Sequence, residues 1–476
     1  MQSAEPRDTT DSISARGGSS ELWKLALPLV LSSSFMTIQI TLDRVMLSWH
    51  SELDVAASMP AVMLYWFPFG LLYGTALYVA TFVAQYTGAR RPERVGPAVW
   101  QGIYFALASG LLFLALVPLA PAYIALGDHD AALQTREVAF FRGLCFAALP
   151  ALVVSSISGF FSGRGAPWTI LLIDVVGTLV TGVLDWLLIF NRLDIPELEG
   201  AAGAGVATAC GSYAAALTAV ALFLRKRNRD EFQTLSGWRP ERELLLRLFK
   251  FGGPAGIQMM LDVMAFTLFT LFVGRLGKDA MTATSIAFTI NMLAFLPVMG
   301  LGNAVGILVG QSIGEGRADH AVRTVRIGFR WAVGYSTFAA ALFVLAPGPL
   351  TSIFAAEAGS NQSETVATLL LFVATYCVTD SVNLVYASAL RGAGDTRFVS
   401  WLTFLLAWPV MVIPTYLVVR ADGNLYWCWA FATAYISVMA TCFYARFRTG
   451  KWKLMKVIED AERPHAEKLP AQATAR

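Results

Sequence analysis

The stretch Phe251 to Gly274, FGGPAGIQMMLDVMAFTLFTLFVG, is long and apolar enough to cross a bilayer, yet it carries a carboxylate, Asp262, near its midpoint. A spanning helix needs about 20 apolar residues. An ionisable side chain at its centre costs roughly 2.5–3.5 kcal/mol even on a lenient insertion scale, so it faces a protein interior or a wet cavity and serves an ion or substrate path. The rest of the chain repeats this arrangement.

Of the 476 residues, 56% are hydrophobic and 14% charged, with a mean hydropathy of +0.57, whereas soluble chains carry about 25% charged residues. A polytopic membrane protein follows. The net charge of +3 is small and uneven, which argues for orientation in a membrane and against a nucleic-acid partner. Residues 1–20 are polar with no apolar core, so neither a secretory signal nor a transit peptide is expected. The five cysteines, Cys145, Cys210, Cys377, Cys428 and Cys442, lie in apolar segments without CxxC spacing and read as packing residues. No HExxH occurs, and the histidines fall in expected loops or tails, so no metalloenzyme ligand set is visible.

Apolar runs place helices near 22–48, 57–87, 97–120, 136–162, 167–190, 201–224, 245–274, 280–312, 321–346, 365–390, 397–419 and 425–447. The chain then divides into an N-terminal tail (1–21), an N-lobe of helices 1–6 (22–224), a basic linker (225–244), a C-lobe of helices 7–12 (245–447) and a C-terminal tail (448–476). Arginine and lysine crowd the loops after helices 2, 4, 6, 8 and 10. By the positive-inside bias both termini and the linker are cytoplasmic in a multi-pass inner (plasma) membrane protein. The basic segment RFRTGKWKLMK (446–456) is of the kind that rests on anionic lipid.

Shifting the chain by 226 residues aligns Pro28 with Pro254, Ala57 with Ala283, Val83 with Val309, Gln85 with Gln311, Gly88 with Gly314 and Arg91 with Arg317. With a few residues of drift, SGRGAPW (162–168) matches RGAGDTR (391–397). The expected fold is all-α: twelve transmembrane helices in two parallel six-helix repeats, N- and C-lobes, around a central cavity.

Five aspartates fall within the expected helices: Asp43, Asp174, Asp185, Asp262 and Asp380. Facing lipid, they would together cost about 12–17 kcal/mol, comparable to the stability of a whole domain, so they must face inward. In helix 5, Asp174, Thr178, Thr181 and Asp185 form one polar stripe at spacings of four, three and four. Tyr376, Asp380 and Asn383 share a face of helix 10, and Gln39 and Gln258 precede Asp43 and Asp262 by one turn. Acids with oxygen-bearing neighbours suit a proton or a small hard cation. Asp262 and Asp380 lie near mid-helix, while Asp43 and Asp185 match in depth nearer the outer ends, giving one pair per half. Each acid also has a purely structural reading, as a polar contact fixing helix packing. Arg44 follows Asp43 but diverges from it by about 100° around the helix and is expected to snorkel to the outer interface.

Pro68, Pro297, Pro409 and Pro414 lie inside expected helices, as tolerated kinks or as bends that open a cavity. GQSIGEGR (310–317) lacks the Lys-Ser/Thr of a phosphate-binding loop, so energy would come from an ion gradient, with no cofactor. Ser155, Ser156 and Ser158 have no histidine beside them, and the chain is not expected to be an enzyme. Two-fold repetition without a filter disfavours a channel.

The stretches LPLVLSSSFMTIQITLDRVMLSW, VAQYTGARRPERV, VLDWLLIF to GVATA, GGPAGIQMMLD, VGQSIGEGR and TDSVNLVYASALRGAGDTR resemble the multidrug and toxic compound extrusion (MATE) transporters, in their NorM- and DinF-like prokaryotic branches. Asp262, eight residues after Pro254, and Asp380, eleven before Arg391, keep the family spacings. The resemblance implies an exporter that exchanges Na⁺ or H⁺ for lipophilic, often cationic organic molecules or drugs, works as a monomer and touches membrane lipid. It implies a C-lobe coupling-ion site at Asp262, Asp380 and Tyr376, where Asp262 and Asp380 would hold Na⁺, and an N-lobe site at Asp43, Asp185, Thr181 and Thr208. Gln39, Gln258, Asn383 and Asp174 would support them. Two residues depart from the family pattern: Thr181 stands where asparagine is common, and Arg44 replaces an uncharged residue. A lipid-linked precursor flippase of the same superfamily is the alternative, one that would prefer a basic cavity.

Overall fold

Inside hydrocarbon each backbone N–H and C=O must find a partner within its own segment, so long apolar runs become helices. The computed structural model describes residues 18–127, 129–352, 360–421 and 423–459. Its twelve long helices are α1 (Ser19–His50), α2 (Glu52–Gly88), α3 (Val95–Leu116), α4 (Ala131–Gly163), α5 (Trp168–Leu188), α6 (Ala201–Phe223), α7 (Arg242–Gly274), α8 (Lys278–Gly314), α9 (Ala318–Leu345), α10 (Ser360–Ala393), α11 (Thr396–Arg420) and α12 (Leu425–Arg448). Among the described residues, twelve spans are long and apolar enough to cross a membrane. Ser51 and Asn424 start α2 and α12 by accepting the backbone N–H two residues on, at 3.2 and 3.0 Å. Pro68 and Pro297 sit inside α2 and α8 without ending them, whereas Pro409 lies in a turn of π-helix, Ala407–Val412, that interrupts α11.

The buried side chains form two cores, one drawn mainly from α2–α6 and the other from α7–α12. The first helix of each repeat crosses over: Leu22, Leu25 and Ala26 of α1 belong to the C-lobe core, and Leu244, Leu248 and Ala255 of α7 to the N-lobe core. Each lobe thus lends one helix end to the other.

The seam between lobes is built from pairs of equivalent contacts. A β-carbon added at Gly88 would lie 1.9 Å from the Gln311 carbonyl oxygen, and one at Gly314 would lie 2.1 Å from that of Gln85. Only glycine permits such backbone approach. Gln85 Nε2 donates to the Gly392 carbonyl (3.1 Å), and Gln311 Nε2 to that of Gly163 (2.8 Å). Gly74 lies against Gly256, and its repeat equivalent Gly300 lies against Val30. A two-fold axis along the helices therefore relates the lobes. Tyr78, at the break in α2, adds a hydrogen bond to the Arg391 carbonyl (2.9 Å).

All but the Gly74 and Gly300 contacts lie toward the face that carries the linker. The linker is docked and partly helical (Lys226–Phe232): Trp100 Nε1 of α3 donates to the Thr234 carbonyl (2.7 Å), and the Glu241 N–H donates to Gln101 Oε1 (3.2 Å). The basic segment after α12 also folds back. Trp452 is buried and stacks on Phe447 at 4.7 Å, and residues 457–459 then run across the seam. The Val457 N–H donates to Gln85 Oε1 (2.9 Å), and Arg247 Nη1 donates to the Val457 carbonyl (3.2 Å). Glu459 accepts from Tyr86 (2.7 Å), Arg91 (3.0 Å) and Arg94 (3.2 Å). Within the segment 446–456, read from sequence as resting on lipid, Trp452 is buried against protein, and just beyond it Val457 and Ile458 are buried too, so that the chain here forms a strap.

Candidate functional site

Helix α5 sorts its residues as its polar stripe predicts. Leu172, Leu179, Val183 and Trp186 are exposed on one side, while Thr178, Thr181 and Asp185 are buried on the other. There the Asp185 carboxyl meets that of Asp43 from α1 within hydrogen-bonding reach. Neither Asp185 oxygen, nor the buried Asp43 oxygen, has a protein donor. Two such carboxylates can sit side by side only with a proton or a cation between them. The hydroxyls of Thr181 and Thr208 are likewise buried without a partner. They share the α5–α6 contact, where Thr181 Oγ1 presses on Gly211, three residues after Thr208 on α6. Each of the four N-lobe candidates thus has at least one buried oxygen with no hydrogen-bond partner.

Arg44 lies on an exposed side of α1 with its Nη2 2.7 Å from Met59 Sδ of α2, and its charge remains within electrostatic range of Asp43. Gln39 is half-buried one turn before Asp43. Asp174, at the other end of the stripe, accepts a hydrogen bond from Ser32 of α1 and so ties α1 to α5.

In the C-lobe, Asp262 of α7 and Asp380 of α10 lie within electrostatic range of each other. Asp380 accepts from Asn383 Nδ2 at 3.1 Å, one turn along its own helix. Asp262 is approached by Gln258, whose Oε1 is buried and unpartnered, and by the Tyr435 hydroxyl of α12. Tyr376 is buried with its ring stacked on Trp429, 6.5 Å between centroids, in an aromatic core that includes Phe269 and Phe288. Among the described residues no group of three or more His, Cys, Asp or Glu side chains is placed to hold a metal ion, so a cation here would rely on hydroxyl and amide oxygens beside the acids.

Three participants were not singled out from sequence. Tyr435 lies in an aromatic-rich run with nothing to mark it. Arg391 is a positive charge within electrostatic range of Asp262, and its position eleven residues, or three turns, after Asp380 puts it on the same face of α10. Asp54 is a further helical aspartate, fully buried at the face opposite the linker. It pairs with His50 (2.6 Å) and Arg136 and accepts from the Ala201 N–H (3.3 Å), while His50 also reaches Glu199 (3.0 Å). It was missed because α2 begins at Glu52, earlier than its apolar run.

A model of the MatE family matches residues 28–187 and 254–417. The chain belongs to the MatE family. The two matched segments open on Pro28 and Pro254, the first equivalent pair of the repeat. Among MatE relatives, the multidrug resistance protein NorM of Vibrio cholerae is 28% identical over 403 residues, covering 83% of this chain and 86% of its own. NorM of Vibrio parahaemolyticus is 28% identical over 410 residues, covering 85% and 88%. Of solved structures, a MOP superfamily transporter from Pyrococcus furiosus superposes with a TM-score of 0.83 at 18% identity, over 94% of this chain and 100% of that one. That likeness shows a shared fold.

Proposed function

We propose that this MatE chain is a secondary antiporter that exports lipophilic, often cationic small molecules in exchange for Na⁺ or H⁺. The carrying observation is a pair of inward-facing acids inside each of two lobes whose seam is sealed at one face. The multidrug resistance names of its relatives support the substrate class. In this reading the linker face is cytoplasmic, the membrane is the inner (plasma) membrane, and the protein works as a monomer. The sealed seam then corresponds to an outward-facing state. The coupling ion enters from outside and binds at Asp262 and Asp380, with Tyr435 and Gln258 as further oxygen donors, or between Asp43 and Asp185 beside Thr181 and Thr208. A bound ion drives rearrangement only by its differential affinity for the two states.

The test is uptake of a fluorescent lipophilic cation into everted vesicles, which corresponds to export from the cell, under an imposed Na⁺ gradient and, separately, an imposed pH gradient. Export driven by one gradient and lost in Asp262→Asn and Asp380→Asn is expected, and it names the ion. Export that ignores both gradients, or that survives both substitutions, overturns the C-lobe assignment. Loss in Asp43→Asn and Asp185→Asn alone moves the coupling site to the N-lobe.

A further inference from the structure

On the linker face of the N-lobe lies a cavity of about 760 Å³, well away from the acids. Four arginines line it: Arg90 after α2, Arg164 after α4, Arg225 after α6 and Arg227 of the linker helix. One carboxylate, Glu231, is among the lining residues. Four guanidinium groups against one acid make a strongly positive recess. Its floor is specifically built. The Arg164 guanidinium lies 4.4, 5.2 and 5.1 Å from the rings of Phe160, Phe161 and Phe232, and its Nη1 donates to Asn228 Oδ1 at 2.9 Å. Its Nε is buried with no acceptor, and Thr87 Oγ1, also lining the cavity, is buried with no partner.

We propose that this cavity binds a phosphate-bearing anion. An orphaned guanidinium N–H and a hydroxyl at the base, with three exposed arginines at the rim, form the donor set that a tetrahedral oxyanion accepts from. The bland reading is that these arginines only orient the chain in the membrane. That reading leaves the two buried donors unexplained, since an orienting charge needs solvent rather than an aromatic floor. The phosphate could be carried by an acidic phospholipid or be free in solution. The phenylalanine floor and the exposed Trp168 and Leu172 beside the rim suit a ligand that arrives along the bilayer surface. A second cavity of about 220 Å³ shares Thr87, Arg90 and Arg164; its far wall is C-lobe, Gln311, Ser312 and His320, and two carboxylates, Glu21 and Glu315, line it as well, so the excess of positive charge lies in the larger cavity. An anion held by the shared residues therefore sits beside the seam and favours the sealed arrangement over one in which the lobes part.

The experiment uses the full chain purified in neutral detergent, with thermal unfolding followed by tryptophan fluorescence at constant ionic strength. Short-chain phosphatidylglycerol, matched phosphatidylcholine and inorganic phosphate are titrated separately. The expected result is a saturable rise in midpoint with phosphatidylglycerol and none with phosphatidylcholine. The half-saturating concentration should increase about tenfold in Arg164→Gln and in Arg227→Gln, and stay unchanged in Arg239→Gln, which removes a charge of the same face outside the cavity. Equal potency of inorganic phosphate assigns the site to a soluble anion, and potency of the lipid alone assigns it to a headgroup. Should Arg164→Gln fail to fold, the exposed Arg227→Gln carries the test. No saturable response to either probe overturns the proposal, as does an unchanged response in Arg227→Gln or an equal loss in Arg239→Gln.

Discussion

Tyr435 and Asp262 show how much a single hydroxyl can govern. The Tyr435 hydroxyl approaches Asp262, and a hydrogen bond from it to the ion-bound carboxylate would be worth about 1.5–3 kcal/mol, roughly 10- to 150-fold in an equilibrium constant. Tyr435→Phe should therefore weaken the apparent affinity for the coupling ion by about that factor while leaving substrate-saturated protein inserted and folded. Transport measured against ion concentration in vesicles checks this, and an unchanged half-saturation point removes Tyr435 from the site. Asp174→Asn should differ: Asn can still accept from Ser32, so transport should stay within about twofold of the parent, since the contact is structural. The acids were legible in the sequence because each is costly in lipid and each has oxygen-bearing neighbours at helical spacing. Arg391 carried a signal as well, its three-turn offset from Asp380, but in the sequence it served only as a spacing landmark. Tyr435 was not, because periodicity places a residue on a face but cannot say which of several phenols on α12 meets an acid from α7.

At the scale of elements, the seam depends on glycine and the strap on one carboxylate. Gly88→Ala forces a β-carbon against a carbonyl, an overpacking cost of about 1–3 kcal/mol. That should shift the balance away from linker-face closure roughly 5- to 150-fold. The measurement is maleimide labelling of a cysteine at Ala84, fully buried at the seam, with the five native cysteines replaced. Labelling from the linker side should speed up in Gly88→Ala and in Gly314→Ala alike. The strap adds a pH prediction. Burial pushes the Glu459 carboxyl upward, but hydrogen bonds from the Tyr86 hydroxyl and its own backbone, with the Arg94 and Arg91 charges, outweigh it and hold the group below its ordinary 4.5. A depressed carboxyl contributes fully above its unfolded value and loses that contribution only as pH falls through the folded one. Labelling at Ala84, normalised at each pH to that of a fully exposed cysteine so that thiol ionisation cancels, should therefore be flat in the parent from pH 5 to 8, and Glu459→Gln should raise it by a constant factor across that window. A contribution that changes within the window would remove Glu459 as the fastener. Sequence periodicity located the helices but gave no sign of this strap, since Val457-Ile458-Glu459 is too short to show a period.

For the whole molecule, the twelve apolar runs and the 226-residue offset made the two-lobed plan readable without coordinates. The exchange of helix ends, α1 into the C-lobe core and α7 into the N-lobe core, was not, because a hydrophobic face does not name the partner that covers it. Since both lobes contribute to both cores, the halves expressed as separate chains, 18–224 and 242–459, should each be poorly folded alone and recover when produced together. Co-purification of the two halves checks this, and stable isolated halves would show that the exchanged ends are dispensable. The mirrored seam also bears on how such a chain can change over generations. In a protein made of two identical halves, one codon would set both glycine–carbonyl contacts, and any novelty at one would be imposed on the other. In a single chain the halves can vary separately: Gln85 bonds the Val457 amide as well as the Gly392 carbonyl, while among the described residues its equivalent Gln311 bonds the Gly163 carbonyl.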